Sequence, residues 1–152
     1  MGSDRRRPTR SLVAAASAGV VCWCVVVLAA TQSSADAIAA ANAAGWQIPE
    51  RAAQESSPLQ PDAAVLKKGK ALFASQCQKC HGASGRGDGA YADPSHRPAD
   101  LTASTNADGV MFYKIWNGRK EPAMPAFKST MTKDEAWMVV EYAKSLRSTT
   151  TR

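Results

Sequence analysis

Alternating apolar and polar residues are missing from this 152-residue chain, and so is any internal repeat. The first absence argues against half-buried strands, the second against a solenoid or propeller. Charge of one sign is not in large excess: 19 Lys and Arg stand against 13 Asp and Glu, a formal net charge of +6. Residues 38–152 alone carry 15 basic and 11 acidic side chains. So weak and scattered a bias does not make a nucleic-acid surface. It suits steering toward an acidic protein partner. Histidine is scarce, with two in the chain, and cysteine numbers four. The length allows one compact domain and an export segment.

The front of the chain carries an address. Arg5, Arg6, Arg7 and Arg10 form a positive region, and residues 12–30 then hold no charge. The most apolar part, residues 20–30, has the length of a signal-peptide core, and Ala35-Asp36-Ala37 reads as a cleavage site. Residues 1–37 are therefore expected to be a signal peptide, with Ile38 the first mature residue. The alternative is an uncleaved membrane anchor, since the uncharged run is long enough to span a bilayer. Pro8-Thr9-Arg10 fits a twin-arginine signal poorly, and no Leu-Ala-Gly run precedes Cys22 to suggest a lipoprotein. Either main reading leaves the body of the protein in the periplasm, free or anchored.

Residues 38–61 are rich in Ala, Gln, Ser and Pro and show no clean periodicity, so a linker or loosely packed arm is expected. The folded domain is expected over residues 62–148. Asp62 can cap a helix whose stripe is Val65, Leu66, Gly69, Leu72 and Phe73. Glycines and prolines punctuate residues 82–98 as a loop. Asp108 can cap a second helix with Met111, Phe112, Ile115 and Trp116 on one face, stopped by Asn117-Gly118. A second loop holds Pro122 and Pro125. The last helix opens with the capping box Thr132-Lys133-Asp134-Glu135 and carries Trp137, Val139, Val140, Tyr142, Ala143 and Leu146. The fold class is all-α, three to four helices joined by long loops. Loops that long in so small a domain need something to organise them.

Cys77-Gln78-Lys79-Cys80-His81 supplies it. Two thiols on one helical turn can each add to a vinyl group of one porphyrin, and the adjacent histidine then meets the iron. A structural zinc site needs four ligands, and beyond His81 the body offers only His96 and no further cysteine. A thioredoxin-like pair needs a βαβ setting, for which there is no sign. Candidates for a second axial ligand are Met111, Met124, Met131, Met138 and His96. Met111 and Met138 fall within helices and read as core; Met131 precedes a helix cap and reads as a hydrophobic staple. His96 reads as a solvated loop histidine. Met124 lies in the stiff loop Pro122-Ala123-Met124-Pro125-Ala126-Phe127, which favours it as the ligand opposite His81.

Residues 63–146 resemble a class I c-type cytochrome of the small monohaem bacterial type. The resemblance rests on Gly69-Lys70-Ala71-Leu72-Phe73, the Cys77 to His81 motif, Met124-Pro125-Ala126-Phe127 and Val139-Val140-Glu141-Tyr142. It implies a cytochrome c fold wrapped around one haem c, bound through Cys77 and Cys80 and ligated by His81 and Met124. It further implies that the first and last helices cross at Gly69, with Phe73 and Tyr142 packed there. A proline carbonyl, of Pro98 or else Pro94, would accept from His81. With both axial positions filled, the expected role is electron transfer between redox proteins rather than enzyme catalysis. Phe112, Trp116, Leu101 and Phe127 are candidates for the apolar surround, and Lys67, Lys68, Lys70 and Lys79 for a docking face. Two alternatives remain: a haem subunit of a dehydrogenase or reductase complex, and an open-site haem enzyme or sensor. As a free carrier the protein would be a monomer.

Overall fold

Asp62 ends an extended stretch and its carboxylate accepts from the Val65 N–H at 2.8 Å, opening a helix as the sequence predicts. In the computed structural model, which describes residues 36, 38–42 and 44–147, that helix is the second of five that follow a helical stretch at residues 38–42. The elements are α1 (Glu50–Ala53), α2 (Ala63–Gln76), α3 (Gln78–His81), α4 (Asp108–Asn117) and α5 (Lys133–Ser145). Among the described residues there is no strand, only an isolated antiparallel bridge between Arg119 and Met124. No helix among them is long and apolar enough to cross a membrane. The expected signal segment lies, Asp36 apart, outside the described residues.

The fold turns on the crossing of α2 and α5. A Cβ on Gly69 would stand 2.1 Å from the Met138 carbonyl oxygen, so only a hydrogen side chain lets the two backbones approach so closely. One turn on, the Phe73 and Tyr142 rings meet with centroids 5.3 Å apart. Val139 and Val140 are fully buried beneath them, a burial worth about 1.5–3 kcal/mol each. The α5 entry has the predicted capping box: Glu135 N–H donates to Thr132 Oγ1 at 3.2 Å, and Thr132 N–H donates to Glu135 Oε2 at 2.8 Å. Met131 is buried beside this cap. Helix α4 closes at Gly118, with φ of 58°, as Asn117-Gly118 foretells.

Two expectations need correction. Asp108 does not cap α4. Ala107 holds the cap position without a side-chain bond, and Asp108 is the first helical residue. Its carboxylate instead accepts from Lys144 Nζ at 2.9 Å and from Ser57 N–H at 3.4 Å, more distant partners than a cap would use. Lys144 also donates to Glu141, only 2 % exposed, at 3.1 Å.

Nor is the first part of the 38–61 stretch loosely packed. Residues 38–42 are helical, a turn at residues 44–45 and then α1 follow, and Ala41, Trp46, Ile48 and Ala53 are buried with Val110 of α4 in a second apolar cluster. A Cβ on Gly109 would stand 2.1 Å from the Ala52 carbonyl, so α1 rests directly on the start of α4. These apolar residues are spaced by turns rather than along one helix, which hides them from a periodicity search.

Candidate cofactor site

Cys77 is the hinge between α2 and α3. Its N–H donates to the Phe73 carbonyl at 2.9 Å, and its own carbonyl accepts from His81 N–H at 2.9 Å. The single turn of α3 thus carries Cys80 and His81 round to the same side as Cys77. Both cysteines are free thiols. Burial pushes the Cys77 thiol up to about 12, with Cys80 adding to the rise and Lys79 opposing it. At neutral pH it is therefore a protonated thiol rather than the lowered-pKa thiolate of a redox-active pair.

These residues border a cleft of about 170 Å³, partly open to solvent, whose lining also includes Phe73, Leu101, Met111, Ile115, Met124 and Phe127. Cys77, Cys80, His81 and Met124, 47 residues of sequence apart at the extremes, line one cavity. Met124 is half-buried and is fixed through its backbone: Arg119 N–H donates to Met124 O at 2.8 Å, and Met124 N–H to Arg119 O at 3.0 Å. Phe127 N–H ties the far end of this loop to the Ile115 carbonyl at 3.1 Å.

His81 Nδ1 is buried without a hydrogen-bond partner of normal geometry. Burial draws the imidazole's pKa down, while the backbone of Ala99 lies near enough to pull the other way. The neighbouring backbone is therefore that of Ala99. The Pro98 carbonyl lies 2.1 Å from where a Gly87 Cβ would stand, so it packs against that glycine.

The remaining expectations divide. Leu101 and Phe127 line the cleft, whereas Phe112 and Trp116 do not. Phe112 is stacked between Trp137 and Trp116, at 4.2 and 5.7 Å, within the core. Met111 and Met131 are buried core residues, though Met111 also reaches the cleft. His96 sits at the rim, its side chain 63 % exposed and 3.2 Å from Asp93. Sequence reasoning missed Trp46, Lys114 and Arg119, which complete the lining. A tryptophan in the unassigned arm was the available signal.

A short helical bundle around an apolar cleft, with a C-x-x-C-H turn at its edge, is the build of a c-type cytochrome domain. The chain belongs to the family described as cytochrome c oxidase, cbb3-type, subunit III, whose model matches residues 64–142. Among solved structures it is similar to a chain of the reducing HAO-like protein complex of Kuenenia stuttgartiensis, with 28 % identity and a TM-score of 0.50. That match covers 59 % of this chain and 47 % of the other, so this chain spans about half the length of its neighbour. No curated protein sequence matches it. Membership implies covalently bound haem c and haem-based electron transfer. The residues present fit that group: two free thiols on one turn, an adjacent imidazole with an unpartnered buried nitrogen, and an apolar cleft beside them.

Proposed function

We propose that the protein is a one-haem electron carrier that passes single electrons between redox proteins in the periplasm. Cys77 and Cys80 would hold the porphyrin through thioethers, and His81 and Met124 would ligate its iron. When bound, the haem supplies a one-electron iron couple. The observation that carries this reading is the common cleft lined by the Cys77 to His81 turn and by the tethered Met124. A thioether and an imidazole together leave no open position for substrate, and a His/Met pair raises the reduction potential. The apolar wall of Phe73, Leu101, Ile115 and Phe127 excludes water and disfavours the more charged ferric state.

The test is the visible spectrum of the protein exported from a host with haem-attachment machinery. Covalent haem with the ferric thioether-to-iron band at the red end supports the reading. Covalent haem without that band removes Met124 as ligand and moves an open-site enzyme or sensor forward.

A second reading is favoured by the solved neighbour, a chain of a multi-protein redox complex that is about twice as long as the matched part. The same electron-transfer chemistry would then serve as a subunit of a larger assembly. Co-purification with a partner through a sizing column supports the subunit; a lone monomer supports the free carrier.

A further inference from the structure

The cleft is bordered by four basic side chains, Lys79, Arg97, Lys114 and Arg119, and by no acidic one. Lys79 and Arg97 are exposed, whereas Lys114 and Arg119 are half-buried. These two converge on one indole: Lys114 Nζ lies 5.3 Å and Arg119 Cζ 4.5 Å from the Trp46 ring centroid. Among the described residues neither pairs with a carboxylate. Arg119 donates from Nε to the Pro122 carbonyl at 3.0 Å and from Nη1 to the Ala44 carbonyl. A guanidinium has five N–H donors, so these two bonds leave donors of Arg119 to spare at the cleft lining. Two half-buried like charges on one ring repel each other and have each lost water. The arrangement becomes favourable when an anion joins them.

We propose that Lys114 and Arg119, braced by Trp46, form a clamp for the two propionate carboxylates of the haem. The clamp rests on the haem reading above. Its chemistry matches the ligand: the porphyrin is apolar except for one edge bearing two carboxylates. The guanidinium fork binds a carboxylate bidentately, and the ammonium acts as a point charge beside it. Lys114 and Arg119 lie within the matched residues 64–142, whereas Trp46 and Ala44, which brace them, belong to the arm outside that stretch. The other titratable groups facing the same space are His81 and His96, with Cys77 and Cys80.

The test uses the haem-loaded full protein, with the propionate carboxyl carbons labelled with carbon-13 through a haem precursor and titrated by NMR. In the wild type at least one carboxyl titrates below the ordinary carboxylate value of about 4.3. K114Q and R119Q each raise a carboxyl's proton affinity on the order of tenfold, K114R keeps the wild-type value, and K133Q, at an exposed lysine outside the cleft lining, leaves it unchanged. Wild-type carboxyls that both titrate at or above the ordinary value overturn the clamp, and need no variant to fold. Carboxyls unmoved by both K114Q and R119Q, with covalent haem intact, overturn it equally. A protein that takes up no covalent haem overturns the haem reading itself, and the clamp with it.

Discussion

Arg119 and Met124 exchange two backbone hydrogen bonds, at 2.8 and 3.0 Å, so the methionine sits at the closed end of a tight loop rather than along a free one. The side chain therefore needs little ordering to reach the cleft, which limits the entropy lost on ligation. In Met124→Ala the haem stays covalently attached, the reduction potential falls, and the reduced protein binds carbon monoxide. Loss of the half-buried thioether also costs about 1–2 kcal/mol of fold stability. Redox titration checks this, and an unchanged potential would sink the assignment of Met124.

Cys77→Ser removes one of the two proposed thioethers. The expected product is a haem held through Cys80 alone, with a red-moved reduced band and poorer yield. An alkaline pyridine spectrum identical to that of the wild type would contradict the assignment.

Gly69→Ala puts a methyl group where the Met138 carbonyl oxygen leaves 2.1 Å. A backbone carbonyl cannot turn aside as a flexible side chain can, so α2 and α5 must separate. The expected cost is about 3 kcal/mol, and a fall in Tm on the order of 10 °C. Thermal melts followed at the haem band and in the far ultraviolet read it; a Tm within 2 °C or so of the wild type would mean the crossing relaxes freely.

Lys144 ties Asp108 to the buried Glu141. Burial alone pulls its ammonium down, but the bonds to the two carboxylates prevail and the net change is upward. A raised folded value means the stabilisation is complete below the unfolded value of about 10.4 and is lost as pH climbs through the folded one. Lys144→Met leaves Glu141 buried and unpaired, at a cost of about 2–3 kcal/mol. The Tm gap between variant and wild type should stay constant from neutral pH to about 10 and narrow above it. Paired melts across that range check the prediction, and a gap that widens with pH would reverse the sign assigned here.

The three longer helices and two of their caps were legible because they obey local rules. Asp62 and Thr132 each bond an amide three residues on, and Gly69, Phe73, Val139 and Val140 fall at helical spacing. The chemistry-bearing turn was legible because both thiols and the imidazole lie within five residues. What escaped depends on distant partners. Asp108 reads as a cap until Lys144, 36 residues away, claims its carboxylate. Phe112 and Trp116 read as cofactor surround until Trp137 stacks against Phe112. Trp46 acquires its role only when Lys114 and Arg119 are brought to it across the fold.

The seating of α1 on Gly109 has a consequence for how the protein can be divided. Residues 64–142 carry the family's pattern, yet Val110 is fully buried only with Ala41, Trp46, Ile48 and Ala53 against it. Cutting the chain at the edge of the pattern would strip the cover from α4 and bare an apolar seam. The recurring module and the smallest self-sufficient folding unit are thus different lengths of polypeptide, and transplanting this cytochrome into another protein would require carrying the arm along with it.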